Sequence, residues 1–211
     1  MSDLTSFLES FKDSGSGSGA GFQKVNFLKL PNDKDSAIVK ILIRNKEEAT
    51  KYAKPVHKVK LGKYDNYILC TGEDCACCKA GLKVIPRIAI PIYNFGSNQV
   101  EIWMRGKPQI EQIIASMEDY GEDLSANTFK IVRHGAAGST DTNYQLMYQP
   151  KDRQLPDGIF EQIPKVVGRD YKLFIDLTPE QQTEAMLEGK VTWTHDTPAT
   201  NTEDDTNDIP F

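Results

Sequence analysis

A compact group of potential metal ligands is the feature that most limits what this chain can fold into. The four cysteines all lie between Cys70 and Cys78, and with one histidine they form the spacing His57-x12-Cys70-x4-Cys75-x2-Cys78. One imidazole and three thiolates complete the tetrahedral set that structural zinc prefers, and two cysteines separated by two residues reach the same ion. Because such a set leaves no coordination position open, the pattern predicts one structural Zn2+ ion rather than a catalytic one.

The segment around these residues needs a cross-link of this kind. Residues 62–80 are too polar to build a hydrophobic core, and zinc binding contributes on the order of 10 kcal/mol to the folding of such segments. Two alternatives stay open, because Cys77 would complete a four-cysteine site without His57, and free or redox-active thiols would bind no metal. A secreted disulfide scaffold is disfavoured, since its cysteines would be spread along the chain.

Length and hydropathy favour one sizeable domain with attachments. The chain has 211 residues, of which 39% are hydrophobic. No apolar run approaches the roughly 20 residues of a membrane span, and the first residues carry acids where a secretory signal needs lysines. We therefore expect a cytoplasmic protein without a membrane partner.

Charge is divided unevenly along the chain. The formal net charge is −5, yet residues 36–65 carry eight basic and three acidic side chains. Five acids lie between residues 196 and 211, where the sequence has no Lys or Arg. A basic region that carries an acidic tail is typical of proteins that bind nucleic acid.

Hydrophobic periodicity predicts a mainly β fold. Alternation favours strands at 37–44, 55–61, 87–93, 99–105, 128–134 and 143–149, and a helix at 107–121. Three strands, a helix and two further strands is the element order of the OB-fold, a five-stranded Greek-key barrel. We expect such a barrel, with few short helices and with the zinc subdomain inserted at about 45–86.

The expected domain organisation has four parts. They are an N-terminal amphipathic helix with a Gly/Ser linker at 1–21, the OB-fold core at 22–177, a C-terminal helix at 178–190 and a disordered acidic tail at 191–211. The first helix carries an apolar stripe of Leu4, Phe7, Leu8 and Phe11. Because so short a helix is marginal alone, it needs a surface, either its own barrel or a neighbouring protomer on DNA.

Basic and aromatic residues on the strands suggest a surface for single-stranded nucleic acid, which binds through phosphate contacts and base stacking. Alternation predicts that Trp103 and Arg105 lie on the polar face of their strand, opposite a buried stripe of Val100, Ile102 and Met104. Taken singly, each such residue is equally well an ordinary surface lysine or half-buried aromatic. The predicted nucleic-acid-binding residues are Tyr52, Lys54, Lys58, Lys60, Lys63, Tyr64, Tyr67, Arg87, Tyr93, Phe95, Trp103, Arg105 and Lys107.

The ligand spacing resembles that of tailed-phage single-stranded DNA-binding proteins of the T-even type. In that family a zinc subdomain interrupts an OB-fold, and His57-x12-Cys70 and Cys75-x2-Cys78 match its His-x12-Cys arm and later Cys-x2-Cys pair. The resemblance extends over residues 22 to about 163 and includes the helix sequence IEQIIASM. It implies single-stranded DNA as the partner, self-association on DNA and a place in the cytoplasm of a bacterial host.

The chain ends in TEDDTNDIPF, which resembles the acidic tip of bacterial single-stranded DNA-binding proteins. In that family the tip docks into basic-rimmed apolar pockets on replication, recombination and repair enzymes. The alternative is a solubilising tail, which explains the acids but not the apolar end. The resemblance implies partner binding through Asp204, Asp205, Asp208, Ile209, Pro210 and Phe211.

Together these features predict a non-enzymatic protein that coats and protects single-stranded DNA during phage replication or recombination. Its tail would recruit replication and recombination proteins. The main alternative is a zinc-containing mediator or adaptor that acts mainly through protein contacts. A metal-dependent nuclease would need clustered carboxylates and a hydrolase an activated Ser or Cys, and the sequence offers no convincing site of either kind.

Overall fold

The computed structural model describes residues 25–139, 141–165 and 173–191, which form a mainly β structure with few helices, as predicted. The strands in these ranges are β1 (Ser36–Ile41), β2 (Ala53–Leu61), β3 (Tyr64–Leu69), β4 (Ile85–Asn94), β5 (Gln99–Arg105), β6 (Thr128–His134) and β7 (Asn143–Gln149). The α-helices are α1 (Lys46–Tyr52), α2 (Ala76–Lys79), α3 (Lys107–Tyr120) and α4 (Pro179–Glu188). Single 3-10 turns lie at Gly72–Asp74, Leu124–Ala126 and Phe160–Gln162.

The strands form one antiparallel sheet with β4 at its centre. β5 pairs with one edge of β4, while β2 and then β1 pair with successive parts of its other edge. β6 pairs with β1, β7 with β6, and β3 with β2. The hairpin of β2 and β3 therefore extends the same sheet, although the sequence suggested only a separate insertion between β1 and β4.

Four elements inside the expected insertion were not predicted, namely α1, β3, the 3-10 turn at Gly72–Asp74 and α2. β3 has the sequence YDNYIL, whose polar first half hides its strand character. Asn45 caps the start of α1, because its side chain accepts a hydrogen bond from the backbone of Glu48 at 2.8 Å. An Asn at this position is a standard helix-capping signal, so the helix was readable from the sequence.

A closed OB-type barrel is not confirmed. The four antiparallel pairs β1–β4, β4–β5, β1–β6 and β6–β7 are present, but in the described residues no ladder joins β5 to β7. Side chains connect these two strands instead. The Arg105 guanidinium lies 3.8 Å from the ring centroid of Tyr144, and the Trp103 ring meets the same tyrosine edge-on at 5.9 Å.

The main core lies on one face of this sheet, against α3. It contains fifteen buried side chains, which are Leu28, Leu30, Ala37, Val39, Ile41, Ile43, Ile88, Ile90, Ile92, Trp103, Ile113, Met117, Leu124, Phe129 and Ile131. β1 and β4 each contribute alternate residues to it, and α3 contributes Ile113 and Met117 from one helical face. This arrangement follows from the period-2 and period-3.6 patterns in the sequence.

The predicted exposure of Trp103 is wrong. Trp103 pairs directly with Ile90 across β4 and β5, so both side chains point to the same face, which is the core. Only 1% of Trp103 is exposed. Arg105, paired with Ile88, lies on the same side and is half-buried.

The predicted exposure of Tyr93 is also wrong, because the outer face of the sheet is covered as well. Tyr93 is 5% exposed and packs with Leu42, Val100 and Ile159. Leu173 and Phe174 cover the neighbouring part of β4 and β5. Alternation distinguishes two faces of a strand but does not reveal when loops bury both.

The C-terminal helix α4 follows clear sequence signals. The Thr178 side chain caps it in a reciprocal box with Gln181, and Pro179 occupies its first turn. Gly189 ends it at a φ of +63°, a left-handed conformation that favours glycine. The backbone N–H of Gly62 donates to the carbonyl of Gly189 at 2.7 Å, so the helix end is tied to the β2–β3 turn.

Several predictions fall outside the described residues. They concern the N-terminal helix and linker at 1–21 and the acidic tail from residue 192 onward, with its six predicted partner-binding residues. The division into domains stays a prediction. Among the helices that the structure describes, none has the length and apolar character needed to cross a membrane.

Candidate metal centre and nucleic-acid interface

The four predicted zinc ligands converge from three pieces of chain. His57 comes from β2, Cys70 follows directly after β3, and Cys75 and Cys78 lie at the start and within the short helix α2. His57 pairs with Ile68 across the hairpin, which carries the imidazole towards Cys70. The 3-10 turn at Gly72–Asp74 then reverses the chain, and Gly72 adopts a φ of +80° that only glycine accepts easily.

The ligand atoms have nearly the spacing that tetrahedral zinc requires. Nε2 of His57 lies 3.3 Å from Sγ of Cys75 and 3.4 Å from Sγ of Cys78. The Sγ atoms of Cys70 and Cys78 are 3.5 Å apart, and all four ligand atoms lie within 4.8 Å of one another. Standard zinc bond lengths would separate sulfurs by about 3.8 Å and sulfur from nitrogen by about 3.6 Å. The four residues therefore fit one ion.

The electrostatics of the thiols also favour a cation. Burial acts to raise the pKa of Cys75, but hydrogen bonds from the Cys78 and Thr71 backbones and from neighbouring thiols outweigh it and lower that pKa to about 6. Hydrogen bonding to the Cys70 side chain, followed by burial, raises the pKa of Cys78 to about 12. Adjacent thiols oppose joint ionisation, and a divalent ion between them would relieve that repulsion.

Cys77 is not one of the converging ligand residues. It is fully buried and belongs to the hairpin core, a small cluster formed by Val59, Ile68, Cys75, Cys77, Leu177 and Ala185. Burial raises its pKa to about 11, as expected for a thiol surrounded by apolar side chains. The geometry thus favours the set with His57 over a four-cysteine site, and all four cysteines are free of disulfides.

One residue next to the ligands was missed by sequence reasoning. Gln182 on α4 is fully buried, and its amide contacts the backbone of Ala76 at 2.9 Å and of Cys77 at 3.4 Å. A polar residue on the apolar side of an amphipathic helix was the available signal. His57 keeps its Nδ1 buried without a hydrogen-bond partner in the described part of the chain.

A basic groove, with a volume of about 660 Å3, adjoins the metal centre at Cys70. It runs between α1, the start of β2 and the segment around the third 3-10 turn. Its charged and aromatic lining consists of Arg44, Glu48, Lys51, Tyr52, Lys54, Phe160 and Lys165. With four cations against one acid, the groove attracts anions.

Two cations of the groove have no ion-pair partner among the residues that the structure describes. Lys54 and Lys165 form no ion pair within the described ranges, whereas Arg44 pairs with Glu48 and Lys51 pairs with Glu47 at 3.3 Å. The Arg44 guanidinium lies 4.7 Å from the ring centroid of Phe160. Of the predicted nucleic-acid residues, Tyr52 and Lys54 line this groove, while Arg44, Lys51, Phe160 and Lys165 were not predicted.

A second group of predicted residues shares one face of the sheet next to the groove. Lys54 pairs with Arg87 and Lys58 with Tyr67, and Lys60 lies two residues further along β2. Arg87 stacks on Tyr67, with 4.7 Å between the guanidinium and the ring centroid. Lys54 belongs to both the groove and this basic face, but Val56, which lies between Lys54 and Lys58 on that face, is buried against Leu173 and Phe174.

The remaining predicted residues lie elsewhere. Tyr64 is 62% exposed at the turn of the β2–β3 hairpin, beside the exposed Lys63. Phe95 meets Tyr93 edge-on at 5.0 Å, and Lys107 pairs with Glu111 at the start of α3. Together with the buried Trp103 and Tyr93, these positions show that the predicted set does not share a single sheet face.

No family model matches the chain, and no curated protein is significantly similar to it.

Proposed function

We propose that this protein binds single-stranded DNA along the basic groove and the neighbouring basic face of β2. The groove is the observation that carries the proposal, because it combines two lysines that form no ion pair in the described residues with aromatic rings beside the ligand cluster. Phosphates would contact Lys54 and Lys165, and bases would stack on Phe160 and Tyr52. No residue in this arrangement has a catalytic role in the proposal.

We further propose that the ion held by His57, Cys70, Cys75 and Cys78 is Zn2+ and that its role is structural. The donor set supports zinc, since three thiolates and one imidazole suit it better than calcium or magnesium, which prefer oxygen ligands. The ion would hold the β2–β3 hairpin against α2 and thereby position Cys70 and Lys54 along the groove.

The order of strand pairing supports an OB-type barrel as the scaffold. β1, β4, β5, β6 and β7 pair in the antiparallel order of that fold, with α3 between the third and fourth of them. Contacts of Arg105 and Trp103 with Tyr144 bring β5 close to β7, where a closed barrel would have its remaining ladder.

The proposed biological setting is the coating of single strands in phage replication or recombination, in the cytoplasm of a bacterial host. Partner proteins would be recruited by the acidic tail, whose deletion (203–211) should abolish their binding. The same deletion should leave DNA affinity unchanged or raise it, most at low salt, because a competing anion is removed. Phe211→Ala should lose the partners but keep DNA affinity.

Fluorescence anisotropy with a labelled oligo-dT strand tests the DNA proposal. Phe160→Ala should weaken binding by about 1–3 kcal/mol, the usual range for a stacked base. Lys54→Ala and Lys165→Ala should each reduce the slope of log affinity against log salt by about 0.7. Duplex DNA of the same length should bind more weakly, because its bases are not available for stacking.

Lys34→Asn provides the matched control, since it removes one exposed charge outside the groove at a φ of +64° that Asn tolerates. It should leave affinity near the wild-type value. Equal affinity of the wild type for single-stranded and duplex DNA would contradict the proposal. Absence of DNA binding together with intact partner binding would instead favour the mediator or adaptor function.

A further inference from the structure

A buried amide on α4 reaches into the turn that carries two of the candidate ligands. We propose that Gln182 is a positioning residue for the metal centre and that it couples ion binding to the docking of α4. The inference rests on the proposed binding of an ion by His57, Cys70, Cys75 and Cys78.

The oxygen of the Gln182 side chain accepts hydrogen bonds from the ligand turn. Oε1 lies 2.9 Å from the backbone nitrogen of Ala76 and 3.4 Å from that of Cys77. These N–H groups belong to the first turn of α2, where no intrahelical acceptor is available. Gln182 thus supplies the helix cap that the Cys75 side chain does not provide.

The nitrogen of the same amide holds the other side of the turn. Nε2 has three acceptors at 3.4 Å, which are the carbonyls of Leu69 and Leu177 and the hydroxyl of Thr71. Leu69 precedes the ligand Cys70, and Thr71 follows it. One side chain therefore links the chain on both sides of Cys70 to the turn that begins at Cys75.

The Cys75 thiol also lies close to the amide, with Sγ 3.4 Å from Oε1. A metal-bound thiolate has no proton to donate, so this contact cannot hold the glutamine in the ion-bound protein. The two backbone N–H donors remain and keep Oε1 satisfied. Gln182 therefore acts on the backbone conformation of the ligand turn rather than on a ligand atom.

Because the Gln182 amide is fully buried, closure of the ligand turn and docking of α4 should be cooperative. If the ligand turn opened, the Gln182 amide would lose its partners inside an apolar cluster, which is unfavourable. If α4 left, the N–H groups of Ala76 and Cys77 would lose their acceptor. Because each event exposes the other's polar groups, ion binding should stabilise the docked helix, and the docked helix should strengthen ion binding to the same extent.

Other contacts hold α4 in the register that this requires. Ile175 exchanges backbone hydrogen bonds with β3, donating to Tyr67 and accepting from Leu69, both at 2.9 Å. At the far end, the bond from Gly62 to Gly189 fixes the last turn. Gln182 lies between these two anchors, so its amide meets the ligand turn without further adjustment of the helix.

Metal affinity of the full chain tests the proposal. Gln182→Met preserves side-chain length and removes both polar atoms. Competition with a chromophoric chelator should show Zn2+ affinity reduced by about 10- to 100-fold, the range for residues that orient metal ligands. In the Co2+-loaded protein, the thiolate charge-transfer bands should shift, and hydrogen exchange at the Ala76 and Cys77 amides should accelerate.

Two further variants separate positioning from general stability. Leu187→Gly lowers the helix propensity of α4 at a position that is 80% exposed, and it leaves the Gln182 amide in place. As long as α4 stays docked, it should change Zn2+ affinity by less than about threefold. Thr71→Val removes only one Nε2 acceptor, so it should give a small reduction in affinity even if Gln182→Met fails to fold.

The outcomes distinguish this proposal from the metal site on which it rests. A wild-type protein without a tightly held ion would overturn both. A wild type that holds the ion, with affinities unchanged in Gln182→Met and Thr71→Val, would overturn only the role of Gln182. An equal loss of affinity in Gln182→Met and Leu187→Gly would also overturn it, because helix stability alone would then explain the effect.

Discussion

The five strands around the main core and the hairpin of β2 and β3 belong to one sheet, yet different forces hold them. Fifteen buried side chains form the main core, including large ones such as Trp103 and Phe129. Six form the hairpin core, two of them cysteines. Hydrophobic burial scales with buried area, so we expect packing to stabilise the first region, and we expect the second to depend on an ion held by the four candidate ligands and on Gln182.

Removal of the ion should produce the largest effect and separate the two regions. Cys75→Ser deletes a buried ligand, so metal content should fall to zero, with a loss on the order of 10 kcal/mol of binding energy. Hydrogen exchange should accelerate in β3, α2 and α4, while β1, β4 and β6 stay protected. Elemental analysis and hydrogen exchange measure these effects.

Cys77→Ser is the control for that experiment, because it alters a neighbouring buried thiol that lies outside the ligand set. It should retain the ion despite some loss of stability. If loss of the ion accelerated hydrogen exchange in β1 and β4 as much as in β3, the sheet would unfold as one cooperative unit. The two regions would then not differ in what stabilises them.

Substitution in the main core should have the converse effect. Trp103→Ala should reduce the free energy of unfolding by about 3–5 kcal/mol, because it leaves a large cavity in a packed interior. The ion should remain bound. Trp103→Phe should cost less, since it keeps an aromatic ring and removes an indole Nε1 that has no hydrogen-bond partner in the described ranges. Urea denaturation provides the measurement.

The same variants test the original expectation that Trp103 stacks on a base. Near-wild-type stability of Trp103→Ala, combined with weakened binding of oligo-dT, would restore that expectation. Reduced stability with unchanged affinity of the folded fraction would confirm the structural role.

On the surface, the hairpin should contribute to DNA binding and not to stability. Lys58 is exposed and pairs with Asp65 at 2.7 Å, and exposed pairs of this kind stabilise little. Lys58→Ala should therefore leave unfolding unchanged but lower the salt slope of oligo-dT affinity by about 0.7. An unchanged slope would show that the basic face beyond Lys54 does not contact DNA.

The smallest expected effect is a pH dependence of the free energy of unfolding, caused by one ion pair in the five-stranded region. The buried Lys40 contacts Asp152 at 2.8 Å, and the hydrogen bond from Lys40 lowers the pKa of Asp152. A carboxylate with a lowered folded-state pKa stabilises the protein above its unfolded pKa of about 3.9 and loses this effect as pH falls. The difference in unfolding free energy between wild type and Asp152→Asn should shrink below about pH 4.

The exposed Asp157 offers a matched control, since it has no ion pair in the residues described. Asp157→Asn should differ little from the wild type between pH 3 and 7. A difference for Asp152→Asn that stayed constant down to pH 3 would mean that Lys40 does not depend on this carboxylate.

Much of the local structure was readable from the sequence, because it depends on neighbours in the chain. Alternating residues indicated β1, β2, β4, β5, β6 and β7, and capping residues marked both ends of α4. The spacing of His57, Cys70, Cys75 and Cys78 predicted the ligand group, since each metal ligand is a specific residue type with few other reasons to cluster.

Strand register and loop placement, by contrast, were decided only in the tertiary structure. The pairing of Trp103 with Ile90 turns this aromatic into the core, and the loops around Ile159 and Phe174 cover the face that holds Tyr93. Gln182 meets Ala76 across 106 residues of sequence, and Phe160 meets Arg44 across an even longer separation. No local pattern encodes such contacts, because they arise only when distant segments pack together to bury their apolar faces.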